Sequence, residues 1–261
     1  MKHLIWFLVL GLCVPGLSAQ SLRFEGGHSH NDYHQKRPLT EALEHGMVSV
    51  EADIFLEHGQ LLVGHSTNEL RADRTLEKMY LGALQQRIAR EQGHFQPILL
   101  LVDIKSGGRE TYQALQPVLK KYASILSEYK NGRILQRQVT VVLSGSRPVD
   151  VLRAEKQRYA FIDGRLNGKD WNDSSSLIPL ISDDWQKFFS WNGRGNMSES
   201  EFKKLAMMVQ RCHHNGQLIR FWGTPNTPEV RSGYWKILKK ANVDLIGTDC
   251  PACLEAYLKG K

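Results

Sequence analysis

The chain has 261 residues, with 34 lysines and arginines against 27 aspartates and glutamates and a formal net charge of +7 at pH 7. That length suits one large single-core domain. The positive charge is spread along the sequence, which favours anionic small molecules or surfaces and argues against a nucleic-acid groove.

At the start, Lys2 precedes an apolar run from Leu4 to Leu12, then Val14-Pro15-Gly16 and small residues ending at Ala19. The run is far too short to span a bilayer and reads as a secretory signal peptide over residues 1–19, cut before Gln20. Leu12 is too bulky for a lipoprotein anchor on Cys13, and no other segment reads as transmembrane. The expectation is a secreted or periplasmic protein whose folded domain is residues 20–261. Of its cysteines, Cys250 and Cys253 are spaced to bridge in an oxidising compartment, and Cys212 is left over.

Short β-branched apolar runs then alternate with helix-period segments, the pattern of a parallel sheet with crossover helices. Strands are predicted at Leu22–Gly26, Val48–Leu56, Ile98–Ile104, Val139–Leu143, Tyr159–Ile162, Leu177–Ile181, Leu218–Trp222 and Asp244–Gly247. A short strand, Gln60–Val63, is hairpinned to the second across His58-Gly59. Helices are predicted at Leu39–His45, Leu76–Gln92, Glu110–Ser127, Val149–Lys156, Glu199–His214 and Val230–Ala241, with a capping box from Ser198 to Glu201. The connection Gly164–Ser176 is rich in Gly, Asn, Asp and Ser and is not helical. The fold class is therefore α/β, a distorted TIM-type (β/α)8 barrel in a single domain.

Functional groups of such barrels sit where strands run into loops, and the reactive residues of this sequence recur there. Glu51-Ala52-Asp53 puts two carboxylates on one face of the second strand, and the same parity pairs Asp103 with Lys105 on the third. Two carboxylates ~4 Å apart repel by roughly 4 kcal/mol at an effective dielectric of 20. Three converging ones need a proton, a cation or a metal, unless each ends in a separate salt bridge. An all-oxygen set suits Mg²⁺ or Ca²⁺ better than zinc. His28 and His65 follow glycines at strand ends and form a candidate general acid and base. His28-x-His30 with Asp249 also fits the opening of a zinc-dependent amidohydrolase, although the fourth to seventh strands end without histidine. A non-catalytic barrel that binds a phosphorylated or carbohydrate ligand is the third reading.

The ordered set Gly27-His28-Ser29-His30-Asn31-Asp32-Tyr33, Lys36-Arg37-Pro38-Leu39, Ser49-Val50-Glu51-Ala52-Asp53 and Leu62-Val63-Gly64-His65 resembles the phospholipase C-like phosphodiesterase superfamily. Within it, the likeness is to the subgroup named after altered inheritance of mitochondria protein 6. Ile181-Ser182, Trp191-Asn192-Gly193, Arg220-Phe221-Trp222 and Leu245-Ile246-Gly247-Thr248-Asp249 extend the likeness, which runs from about Arg23 to Leu258. The resemblance implies a barrel with His28 and His65 as catalytic groups. It also implies one divalent cation on Glu51, Asp53 and Asp103, and a phosphate contact at Lys105. Asn31 and Trp222 match the sphingomyelinase D branch, and His30 and Arg147 join them as candidate substrate contacts. Ser29 stands where glycerophosphodiesterases carry arginine, and Asp103 where they carry glutamate, which counts against a glycerophosphodiester. The implied partner is a small-molecule or lipid phosphodiester, with at most transient contact with a membrane surface.

Overall fold

A computed structural model describes residues 22–260; the signal peptide and cleavage point expected over residues 1–19 lie outside them. Eight parallel strands close into a barrel: β1 Gly26–Ser29, β2 Ser49–Glu57, β3 Ile98–Ile104, β4 Val139–Gly145, β5 Ala160–Gly164, β6 Leu180–Asp184, β7 Leu218–Trp222 and β8 Leu245–Thr248. Closure is made by β1, which pairs with β8 on one side and β2 on the other, His28 lying beside both Gly247 and Ser49. Between the strands run α1 Thr40–Glu44, α2 Gly82–Glu91, α3 Gly108–Lys121, α4 Val149–Ala154, α5 Glu199–His214 and α6 Arg231–Lys240, with α7 Pro251–Leu258 after the last strand. The expected gap is present: β5 and β6 are joined by a loop holding one turn of 3-10 helix, Asp170–Asn172. No helix is long and apolar enough to cross a membrane among the described residues.

Alternation along the strands explains both sides of the barrel wall. Residues of one parity (Val50, Ala52, Ile54, Leu100, Val102 and Val141 among them) face outward and bury the apolar stripes of the helices. The other parity faces inward, where Leu99, Leu101, Val142, Phe161, Leu180, Leu218 and Leu245 pack into a separate apolar cluster. Two residues further along on β3 to β7, after Leu101, Val142, Phe161, Leu180 and Leu218, the inward position turns polar, giving Asp103, Ser144, Asp163, Ser182 and Arg220. Since a strand rises about 3.3 Å per residue, an apolar floor lies beneath a polar layer at the C-terminal mouth.

Several predicted boundaries moved. The first strand starts at Gly26, not Leu22; Leu22 and Phe24 are drawn into the inner cluster and close the lower end of the barrel. The predicted helix over 110–127 stops at Lys121, because the next residues lead into a three-stranded antiparallel sheet of Glu128–Lys130, Arg133–Leu135 and Gln157–Arg158. That sheet sends Ile134 into the same floor. The predicted helix from Leu76 begins with a wide turn, Glu77–Leu81, before α2, and α7 was not anticipated at all. Ser198 caps α5, its Oγ accepting from the Glu201 amide at 3.2 Å. Cys250 and Cys253 are joined by a disulfide at the start of α7, while Cys212 is free and buried. Burial pushes the Cys212 thiol up to about 12.

Candidate active site

The turn after β1 has a separate structural task for nearly every residue. Asp32 is fully buried and ties the loop down: its carboxylate accepts from Ser29 Oγ at 2.8 Å, the Leu39 amide at 2.6 Å and Tyr80 Oη at 3.0 Å. Asn31 takes a left-handed backbone (φ 46°), a conformation asparagine tolerates better than most residues. That bend brings Tyr33 back over the mouth, where its hydroxyl lies 2.9 Å from both Asn31 Oδ1 and Asp53 Oδ2. Burial, then the charge of Asp53, raises the Tyr33 pKa far above the ordinary phenol range and keeps it protonated.

Asp53 and Asp103 are register partners on β2 and β3, and Glu51 lies on the same face two residues earlier. Each of the three offers a carboxylate oxygen within 4.8 Å of the other two. Lys105 Nζ bridges the pair, 2.8 Å from Asp103 Oδ2 and 3.1 Å from Asp53 Oδ2. Glu51 Oε2 accepts from Arg220 Nη2 at 2.9 Å and lies 2.9 Å from His28 Nε2. Burial works against the Glu51 charge, yet the Arg220 guanidinium and the His28 hydrogen bond prevail and hold its carboxyl well below the usual range. Asp53 goes the other way: burial and the neighbouring Glu51 charge raise its pKa. For Lys105, burial opposes the charge, but Asp103 and Asp53 outweigh it and the pKa rises.

Asp53 Oδ1 and Asp103 Oδ1 are buried without a hydrogen-bond partner. A buried carboxylate oxygen left unpaired costs several kcal/mol by general estimates, so this donor set fits a hard divalent cation. Among the described residues the cluster contains no histidine, unlike the zinc centre considered from His28-x-His30.

The two predicted acid–base residues both contact this cluster. His65, placed by the hairpin strand Gln60–Val63, has Nδ1 3.0 Å from Asp53 Oδ2 and a side chain 55% exposed. The hairpin is closed by His58 and Gly59, both at positive φ, as a two-residue turn requires. His28 is fully buried; Nδ1 lies 2.8 Å from Ser49 Oγ, and burial followed by the Arg220 charge lowers its pKa to about 4. His30 Nδ1 lies 2.7 Å from Asp249 Oδ1; burial works against its charge, but the Asp249 hydrogen bond together with the charges of Glu51 and Asp249 raises its pKa.

Trp222 lines a cleft of about 120 Å³ together with His30, Arg220 and Asp249. Arg147 does not join this group: its guanidinium lies 3.3 Å from Asp170 and from the Gly145 carbonyl. Arg220 and Tyr33 were not singled out as site residues from the sequence. A charge in the middle of Leu218-Ile219-Arg220-Phe221-Trp222 was the available signal for Arg220, since such a residue needs a buried counter-ion. On the opposite wall Asp163 accepts from Ser144 Oγ (2.7 Å), Ser182 Oγ (2.6 Å) and Arg165 Nη1 (2.7 Å), a network also missed.

Comparison with known proteins adds the family. The profile of the AIM6-like phosphodiesterase domain matches residues 22–96 and 91–163. Altered inheritance of mitochondria protein 6 of Eremothecium gossypii is 30% identical over 258 residues, covering 85% of this chain and 66% of the relative. Its homolog in Arthroderma benhamiae is 27% identical over 263 residues, covering 88% of this chain and 82% of the relative. The chain thus spans about two thirds of the length of the first of these. A solved endo-beta-1,4-glucanase from Bacillus licheniformis, at 9% identity and TM-score 0.44 over 87% of this chain and 54% of that one, is too distant to bear on the chemistry. The expected secreted or periplasmic location is overturned by the relatives, which are named for the inheritance of mitochondria and not for secretion. From the match over residues 22–163 and the relatives that share it, the chain belongs to the AIM6-like phosphodiesterase domain family.

Proposed function

We propose that this chain is a metal-dependent phosphodiesterase that cleaves a small-molecule or lipid phosphodiester at the C-terminal mouth of its barrel. One observation carries the reading: Glu51, Asp53 and Asp103 converge within 4.8 Å, and two of their buried oxygens lack a partner. These three residues would hold one Mg²⁺ or Ca²⁺, hard cations that prefer oxygen ligands. Bound there, such an ion supplies Lewis-acid stabilisation of charge on the phosphoryl oxygens.

The rest of the work belongs to the chain itself. Lys105, part-exposed beside Asp53 and Asp103, offers a second fixed cation to the phosphoryl group. Arg220 and His28 keep Glu51 ionised and aimed. Tyr33 donates to Asp53, limiting its rotation, and Trp222 presents an aromatic wall to the organic part of the substrate. Acid and base are imidazoles, one from the end of β1 and the other His65. One takes the proton of the attacking oxygen as its bond to phosphorus forms. The other gives a proton to the leaving alcohol as the old P–O bond breaks. Attack by water gives hydrolysis; attack by a neighbouring substrate hydroxyl gives a cyclic phosphate.

Phosphorus-31 NMR of a mixed phosphodiester panel tests this and distinguishes the two products. Turnover is expected with Mg²⁺ or Ca²⁺, loss with EDTA, and recovery when either ion is restored. His65→Ala is expected to reduce the rate by about 10²–10⁴ while remaining folded. Inertness across the panel alongside measurable head-group binding would make the barrel a binding protein. Recovery by Zn²⁺ alone would favour amidohydrolase-type chemistry.

A further inference from the structure

Two histidines two residues apart, His28 on β1 and His30 immediately past its end, have sharply different surroundings. His28 has 0% exposure, with Nδ1 2.8 Å from Ser49 Oγ and Nε2 2.9 Å from Glu51 Oε2. A ring with both nitrogens engaged and no accessible surface does not meet a substrate. His30 stands in the turn that leaves the strand's C-terminal end, and its side chain is 36% exposed. Its Nδ1 is held 2.7 Å from Asp249 Oδ1, while Nε2 has no hydrogen-bond partner among the described residues. This ring forms one wall of the cleft that Arg220 and Trp222 also line. Arg220 in turn donates to Glu51, which ties this cleft to the carboxylate cluster through one shared side chain. A carboxylate that fixes one imidazole nitrogen sets the tautomer and aims the other nitrogen's lone pair.

We propose that His30, rather than His28, is the acid–base group at the end of β1, with Asp249 as its positioning residue; this rests on the phosphodiesterase reading above. With the Nδ1 proton directed at Asp249, Nε2 accepts the proton of the attacking hydroxyl as the new O–P bond forms. His65 donates a proton to the leaving oxygen as its bond to phosphorus breaks. Solvent at the two exposed rings then restores both to their starting protonation. His28 acts only through Glu51, which it holds together with Arg220.

The test takes a phosphodiester that the unaltered protein turns over, with His65→Ala as the reference for lost acid–base chemistry. His30→Ala is expected to lower kcat on the order of 100-fold or more, to melt at the unaltered temperature and to regain activity with added imidazole. Asp249→Asn should lower kcat with little change in KM and displace the pH–rate profile, and Asp249→Glu should recover much of the loss. His28→Ala should melt lower and gain nothing from imidazole. Independently of turnover, diethyl pyrocarbonate followed by peptide mapping should modify His30 and spare His28. Full kcat in His30→Ala alongside an inactive His65→Ala would overturn this assignment and leave the phosphodiesterase reading standing. Imidazole rescue of His28→Ala, or carbethoxylation of His28 ahead of His30, would overturn it equally. If no phosphodiester is turned over at all, the assignment and the reading beneath it fall together.

Discussion

Within the stretch from Gly27 to Tyr33, chemically similar side chains do dissimilar things, and burial decides which. Ser29 and Asp32 are fasteners, His28 braces Glu51, and Tyr33 reaches Asp53. The buried pair Arg220–Glu51 is the most consequential of these contacts for stability, with side chains 4% and 7% exposed. Removing one partner of such a pair leaves the other charge stranded. Arg220→Met is therefore expected to cost roughly 3–5 kcal/mol, read by urea unfolding, and to let the Glu51 carboxyl rise towards its ordinary range. An unchanged midpoint would show that Glu51 has another counter-ion. Strand parity made Glu51 with Asp53 and Asp103 with Lys105 legible in the sequence, because their spacing alone puts them on a common face. The Arg220 contact was not legible, since its partner lies 169 positions away and only closure of the barrel brings them together.

Elements were recovered best where a long apolar period and a capping signal agreed. α5 occupies the predicted span and starts on the predicted cap, whereas β1 began four residues late. The alternation of Leu22 and Phe24 is that of a strand, but these side chains are used to fill the barrel end, a tertiary demand that local pattern does not encode. The small sheet around Glu128–Lys130 was hidden for a related reason: its strands are two or three residues long, too short to show a period. At the end of β4, Gly145 has φ +65°, and a methyl group there would collide with Asp103 Oδ1 and the Ile104 carbonyl. The backbone term alone makes Gly145→Ala cost roughly 1–2 kcal/mol, and the collision displaces a proposed cation ligand. Calorimetric titration with Mg²⁺ or Ca²⁺ should show weakened binding beyond the loss seen in thermal melting. Equal affinity in the variant would argue that Asp103 does not bind the ion.

For the molecule as a whole, the two-tier interior couples stability to the site. The polar layer rests on an apolar floor that Leu22 and Phe24 complete from below. Phe24, 5% exposed, is expected to cost roughly 3–5 kcal/mol when cut to alanine, read by chemical denaturation. A small effect would mean that the floor closes without it. Barrel class and the helix-free link from β5 to β6 followed from the rhythm of strands and helices along the chain. Which strand ends lean together across the mouth did not, being a matter of closure and stagger.

The stopper formed by Leu22 and Phe24 also governs traffic. With that end filled among the described residues, a ligand at the C-terminal mouth leaves by the side from which it arrived. On the phosphodiesterase reading proposed above, spent fragments would stand on the threshold that the next molecule has to cross, tying the pace of repeated cycles to how readily the doorway empties.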